Sequence, residues 1–206
     1  VSLGLQESDK YILIELNKLI GSTRPLIRID NSNKNGNIKN TYRLDICNRK
    51  ISQDLFKLGC VKAKSLILEF PTEDQVPDCF IKDFIQGYWE GNGCIFYKIR
   101  KRDGWETFDH IINLVSTKNF CTKLQEILKE KLKINKSKIC FSHKKTGNYI
   151  TTTFQFYRLK YILDFMEWIY KDSKLKLERK FDKYQGLLNE TERRNATKWN
   201  KKEKTC

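Results

Sequence analysis

No stretch of about 18 apolar residues occurs in this sequence, so a membrane-spanning helix is not expected. Nor does the chain start with the basic and apolar segments of a secretory leader, and the expectation is an intracellular protein. The seven cysteines, at positions 47, 60, 79, 94, 121, 140 and 206, form no C-x-x-C pair. Only His110 and His143 stand beside them, which argues against a zinc site. Most of these cysteines lie inside apolar stretches and are expected to be reduced and buried. Neither histidine has a nucleophile at a spacing that would indicate a Ser/His/Asp hydrolase. His110 reads as a structural residue in a mixed apolar strand, and His143, next to Lys144 and Lys145, as a phosphate contact. The first residue is Val1 rather than methionine, and a fragment or processed product is expected.

What the sequence has in excess is positive charge. Its 206 residues carry 40 Lys+Arg against 25 Asp+Glu, a formal +15 spread along the chain. Aromatic residues make up 12%, enough for a folded core rather than a basic disordered arm. A folded chain this basic is expected to bind a polyanion, with nucleic acid the first candidate.

The most informative stretch is 80–96, FIKDFIQGYWEGNGCIF. It reads as an amphipathic helix with Phe80, Phe84, Tyr88 and Trp89 recurring at helical spacing, and it runs through a glycine cluster into a strand. Gly87 and Gly91 lie four residues apart, a spacing that lets a second backbone approach closely. Gly91 and Gly93 bracket Glu90 and Asn92 where the helix stops.

The string IQGYWEGNG (85–93) resembles the motif that names the LAGLIDADG homing endonucleases. Gly87, Gly91 and Gly93 match its small-residue positions and Glu90 matches its first acid. Asn92 stands where the resemblance calls for a metal-binding aspartate. The resemblance implies Mg2+-dependent hydrolysis of double-stranded DNA by carboxylates at the ends of two paired helices. It assigns Gly87 and Gly91 to the helix pair, Gly91 and Asn92 to the metal, and Glu90 and Asn92 to catalysis. An amide is a poorer ligand than a carboxylate for a hard divalent cation, so metal binding and cleavage are expected to be impaired.

Along the chain, Val1–Gln6 reads as a strand, and Glu7–Ile20 as a helix burying Ile12, Leu16, Leu19 and Ile20. Pro25–Asp30 and Thr41–Ile46 follow as strands joined across Asn35-Gly36, then a helix over Asn48–Leu58. After an extended link (62–77) and the glycine-rich helix, the order recurs. Cys94–Arg102 and Trp105–Ser116 form a hairpin about Asp103-Gly104. Thr117–Leu132 is a helix with Phe120, Leu124, Ile127 and Leu128 inward. Ser137–Lys144 and Tyr149–Tyr157 pair across Thr146-Gly147-Asn148, and Leu159–Tyr170 is a further helix. Helix, hairpin and helix thus repeat with a period of about 110 residues. The repeat sets Tyr42, Leu44 and Ile46 against Thr152, Phe154 and Phe156, and Lys64 against Lys174.

The fold class expected is α+β: two pseudo-symmetric αββαββα halves with antiparallel, saddle-shaped sheets. Residues 1–77 are the first half, lacking its motif helix and first strand; 78–188 are the second; 189–206 are a basic, disordered tail. By resemblance, Lys64 and Lys174 are candidates for charge stabilisation at the scissile phosphates. The chain would be a monomer with pseudo-twofold halves once an upstream segment is supplied.

Saddle strands bury one face and read DNA with the other. In Cys94–Arg102, Ile95, Tyr97 and Ile99 are expected inward and Lys98, Arg100 and Arg102 outward. In the second hairpin Ile150, Thr152, Phe154 and Phe156 are expected inward, leaving Thr151, Thr153 and Gln155 outward with Ser142 and Lys144. In the first half Ile27 and Ile29 oppose Arg28 and Asp30, and Tyr42, Leu44 and Ile46 oppose Thr41, Arg43 and Asp45. The outward set forms the expected DNA contacts. The alternative is a non-catalytic nucleic-acid-binding module, either a DNA-binding regulator or an intron-RNA maturase. A third alternative is an endonuclease embedded in an intein; as the terminal Lys204-Thr205-Cys206 lacks the His-Asn pair that protein splicing requires, this segment is expected to carry no splicing machinery of its own.

Overall fold

The computed structural model describes residues 1–31, 39–102, 105–143 and 150–203; side chains at 100–102, 105–108, 143, 150 and 193–203 are not described. The turns expected at Asn35-Gly36, Asp103-Gly104 and Thr146-Gly147-Asn148, and Lys144, lie outside the described residues. The chain divides into two compact units, Val1–Cys60 with Lys174–Glu178, and Val61–Ser173 with Arg179–Cys206.

The first unit holds β1 (Ser2–Gln6), α1 (Lys10–Leu19), β2 (Ile27–Ile29), β3 (Thr41–Asp45) and α2 (Arg49–Lys57). Its antiparallel sheet has the order β1-β3-β2. A single turn of 3-10 helix, Glu7–Asp9, leads into α1. Helix α2 starts where the Asn48 side chain accepts the Ile51 amide at 3.0 Å, and it stops at Gly59, whose φ of 90° only glycine adopts readily. Tyr11 ties the segment Lys174–Glu178 into this unit: its hydroxyl donates to the Lys176 carbonyl at 2.7 Å and accepts the Glu178 amide at 2.6 Å.

The second unit holds α3 (Ile81–Asn92), β4 (Gly93–Arg102), β5 (Trp105–Ser116), α4 (Lys118–Leu132), β6 (Ser137–His143), β7 (Ile150–Phe156) and α5 (Leu159–Tyr170), and takes in all but the first residue of α6 (Glu178–Glu203). Its antiparallel sheet runs β4-β5-β7-β6. Take away β4, and β5-β7-β6 repeats the order β1-β3-β2 of the first unit, so the internal repeat is one of topology. Thr117 caps α4 by accepting the Phe120 amide. The helix ends with Lys133 at φ 56° and the Ile134 amide donating back to Leu128, which buries Ile134. The core lies under one face of the sheet: Ile95, Ile112, Leu114, Phe154 and Phe156 pack against Trp89, Phe120, Leu124, Leu128, Phe165 and Ile169.

Several expectations are corrected. In α1 the fully buried residue is Leu13, while Leu19 is 72% exposed and Ile20 is exposed too. The helix is so rich in apolar residues that periodicity permits more than one stripe, and the position of the sheet selects among them. In α3, Ile81, Ile85 and Trp89 form the buried stripe and Phe80, in the turn before the helix, is 60% exposed. Phe84 and Tyr88 pack sideways on Phe70 and Phe120. The unit boundary falls after Cys60 rather than at Pro77, because Leu68, Phe70 and Val76 of the link pack on the second core. The basic segment from Asn189 is helical through Glu203, consistent with a run free of glycine and proline. Of the six described cysteines, Cys47, Cys60, Cys79 and Cys94 are exposed, Cys140 is half-buried and only Cys121 is buried.

Gly93 is the glycine whose absence of a side chain the packing requires. An added Cβ would fall inside the Trp89 ring, whereas Gly87 and Gly91 face open space. Gly93→Ala is therefore expected to destabilise the chain by about 1–3 kcal/mol and Gly87→Ala to stabilise it by roughly 0.5–1 kcal/mol, both read from urea unfolding. Burial pushes the Cys121 thiol up to about 11. In native protein at neutral pH, iodoacetamide should label the four exposed cysteines and spare Cys121 until the chain is unfolded, as scored by peptide mass spectrometry.

Candidate nucleic-acid interface and motif end

Strand register fixes which side chains share a face, since directly opposed residues project the same way. In the second unit Lys98 opposes Asp109, Asn113 opposes Gln155, Gln155 opposes Lys138, Val115 opposes Thr153, Thr153 opposes Cys140, and Thr151 opposes Ser142. Lys98, Ser142, Thr151, Thr153 and Gln155 therefore lie on one face, opposite the one that buries Phe154 and Phe156. Lys98 and Ser142 are exposed; the other three are half-buried. Arg100 and Arg102 continue β4, with side chains outside the described residues. The register adds Lys138, Asp109 and Asn113 to this face. Alternation along Ser137–His143 already put Lys138 in step with Cys140 and Ser142.

The hairpin β4–β5 reaches beyond the core. Its pairing extends to Arg102–Trp105, while β7 flanks β5 only between Ile112 and Ser116. The outer half is a two-stranded ribbon, and on its core-side face Tyr97 and Ile99 are 59% and 51% exposed. This corrects their assignment to the core; Ile95 alone of the three is buried. His110, opposite Tyr97 on the core-side face, lies 3.9 Å from the Glu190 carboxylate of α6.

In the first unit, Arg43 opposes Gly4 and Ile27, Thr41 opposes Gln6 and Ile29, and Arg28 opposes Tyr42. Arg28 therefore shares the face of Tyr42 and the buried Leu44, while Ile27 and Ile29 share the face of Thr41 and Arg43. Arg28 and Asp30 are thus out of phase with Thr41 and Arg43, contrary to the sequence expectation. A three-residue strand alternates equally well in either phase, and only pairing decides. Arg28 reaches Glu7 at 3.8 Å. Arg43 binds Asp45 at 3.0 Å, and Asp45 also accepts the Ser2 hydroxyl at 2.6 Å. The Ser2 bond and then Arg43 hold the Asp45 carboxyl below its usual range against the opposing effect of burial.

The motif end is built by α3, β4 and α6. Helix α3 finishes at Asn92 and β4 begins at Gly93, so no loop residue separates them. Lys180 of α6, only 5% exposed, donates to the carbonyls of Trp89 (2.7 Å), Glu90 (2.8 Å) and Gly93 (2.5 Å). Its ammonium also lies 4.9 Å from the centre of the Trp89 ring. Burial pulls this ammonium down from 10.5 to about 8, while the Glu90 carboxylate acts in the opposite direction. One turn on, Lys183 approaches the Ile95 carbonyl at 3.4 Å. Sequence reading missed Lys180, yet a signal was there: it stands in the stripe Leu177, Lys180, Tyr184, Leu187, whose other members are apolar and buried.

Asn92 and Gly91 are exposed and Glu90 is half-buried at this end. Lys64, in a 3-10 turn of the second unit, and Lys174, in the first, are both exposed. Among the described residues no group of three or more His, Cys, Asp or Glu could hold a metal ion. Around the motif end this unit offers one carboxylate beside a buried ammonium, one amide and the Gly91 carbonyl. Mg2+ prefers several charged or water oxygens in octahedral array, and these residues by themselves do not fit it.

No family model matches this sequence, and no curated protein matches it. Solved structures do. The chain superposes on the I-LtrWI LAGLIDADG homing endonuclease bound to target DNA with a TM-score of 0.58 and 11% identity, over 93% of this chain and 78% of that one. It matches the I-SmaMI LAGLIDADG homing endonuclease bound to cleaved DNA with a TM-score of 0.53 and 12% identity, over 91% and 76%. I-SmaMI bound to uncleavable DNA gives 0.51 and 13% identity, over 91% and 77%. The fold is that of the LAGLIDADG homing endonucleases. At such identities the likeness speaks for the fold, and the α+β architecture with two antiparallel sheets agrees with the sequence expectation. Among the described residues no helix is long and apolar enough to cross a membrane.

Asn92→Asp would place a second carboxylate at the end of α3. Titration with Mn2+ by isothermal calorimetry should then show roughly a tenfold gain in affinity over the wild-type chain. Equal affinities would mean that Asn92 is not what limits cation binding here.

Proposed function

We propose that this chain is a LAGLIDADG-type protein that binds double-stranded DNA through the outward faces of its sheets and, with Asn92 at its motif end, does not cut it efficiently. The observation that carries this reading is the match over more than nine-tenths of the chain to endonuclease structures that hold DNA. It is supported by the outward row of Lys98, Lys138, Ser142, Thr151, Thr153 and Gln155, and by the ribbon that extends past the core. A two-stranded ribbon fits the major groove, where Lys and Gln pair with base edges and Thr and Ser add further contacts. Arg43 and Thr41 make the corresponding row of the first unit. Lys64 and Lys174 are phosphate contacts, and the formal +15 supplies the sequence-independent part of the affinity.

Phosphodiester hydrolysis in this fold calls for charge stabilisation at the scissile phosphate. The second unit brings an amide and a carboxylate that neighbours an ammonium, so no cleavage step is assigned to it. The reading is therefore of binding, with strand scission absent or slow in Mg2+.

Fluorescence anisotropy with a short labelled duplex should show binding that weakens as salt rises. Lys98→Ala should lower the affinity and reduce the salt slope by about 1. Incubation with plasmid and Mg2+ should leave the plasmid uncut. Efficient double-strand cutting would overturn the non-catalytic part of the reading. Tighter binding to a structured intron RNA than to duplex DNA at matched salt would replace DNA with RNA as the partner.

A further inference from the structure

A charged side chain as fully buried as Lys180 is retained only where its hydrogen bonds meet most of the cost of desolvation. Here three carbonyls meet it, and their positions carry the meaning. Trp89 and Glu90 belong to the last turn of α3, and Gly93 is the first residue of β4. One ammonium therefore bridges the two sides of a junction that has no loop. The Trp89 carbonyl also accepts the Gly93 amide, and the carbonyls of the last helical turn carry the negative end of the helix dipole, which a cation stabilises. The Gly93 carbonyl adds the strand to the same cation. Lys183, three residues further along α6, approaches Ile95 two residues further along β4. The two lysines follow the strand as it leaves the helix.

The next outward side chain of consequence on that strand is Lys98. Among the described residues no third strand pairs with the hairpin beyond Ile112, and α6 meets it near its root, through Lys180 and Lys183 and where Glu190 lies beside His110. The direction in which the ribbon projects is accordingly set at its root. We infer that Lys180, with Lys183 as its weaker companion, is a positioning residue: by joining carbonyls on both sides of the Asn92–Gly93 junction it fixes the angle at which β4 leaves α3, and with it the placement of Lys98 against a nucleic acid. The effect on nucleic acid rests on the binding reading above; the effect on the strand does not. Lys180 is too buried to touch a phosphate itself.

The test combines amide hydrogen exchange with a double-mutant cycle on the full chain. In Lys180→Met the amides of Cys94, Phe96 and Lys98, which face β5, should lose protection by roughly tenfold or more while those of Leu124 and Leu128 in α4 keep theirs. With a short duplex of fixed random sequence, the fold loss caused by Lys98→Ala should shrink to less than half of its wild-type value in the Lys180→Met background. A purely structural role, felt equally everywhere, would lower protection throughout and leave the two losses multiplicative. Unchanged protection along β4, or multiplicative losses, overturns the proposal. Should Lys180→Met fail to fold, Lys183→Met removes the exposed half of the arrangement: a smaller loss of protection confined to β4 supports the proposal and none overturns it. If the wild-type chain binds no duplex, the reading of function falls, and the exchange result alone decides whether Lys180 sets the strand.

Discussion

Helix α3 turns into strand β4 between two consecutive residues, and nearly everything in the second unit follows from how that turn is made possible. A helix end leaves carbonyls short of donors, and a strand that starts at once gives them only the Gly93 amide, which donates to Trp89. Lys180 supplies further donors from a third element, to the carbonyls of Trp89, Glu90 and Gly93. Gly93 supplies the space, since the ring of Trp89 lies where any other residue would carry its Cβ. Trp89 in turn packs edge-on to Phe165 of α5, and Phe165 packs on Phe156 of β7. One tryptophan thus links the junction to the helix layer and to the centre of the sheet. The motif's last glycine has a packing reason here that is separate from any metal.

The same constraint shapes the surface. Because β4 starts at the helix end, its first residues lie within the core layer and its last lie well outside it. Ile95 is buried and Ile99, four residues on, is half in solvent. One face of the ribbon that results carries Lys98, opposite Asp109, and the hydrogen bonds of Lys180 and Lys183 are at its root. The first unit repeats the three-strand order with a shorter sheet, and its outward face carries an ion pair, Arg43 with Asp45, where the second has Thr153 and Gln155. The two rows hold corresponding places in their sheets and are unlike in chemistry.

Legibility varied with the range of the interaction responsible. Helices α4 and α5 fall close to where the sequence puts them, because Thr117, the apolar repeat and the breaks after Leu132 and Tyr170 are local signals. The facing of β7 was readable too, since Thr152, Phe154 and Phe156 alternate over a strand long enough to settle the phase. Strand β2 is three residues long, and its phase was read one residue out, which put Arg28 on the wrong face. In α1, apolar residues are so dense that the periodicity put Ile12, Leu16, Leu19 and Ile20 inward and passed over Leu13, the one that is fully buried. The segment after Asn189 looked like a tail because charge dominates it, although its residues favour helix.

The candidate site divides along the same line. The glycines, Glu90 and Asn92 are adjacent in the chain, so the motif and its departure were visible directly, and so was the basic alternation of Lys98. Lys180 lies 87 residues beyond Gly93 and was invisible as a partner, despite standing in an apolar helical stripe. By itself the sequence determined the elements, the repeat and the character of the exposed side chains, because these depend on neighbours three or four residues away or on composition. Only the tertiary structure decided strand phase, the overhang of the ribbon and the burial of an ammonium among three carbonyls. Those depend on which distant segments meet, and a buried charge is read correctly only when its partners can be seen.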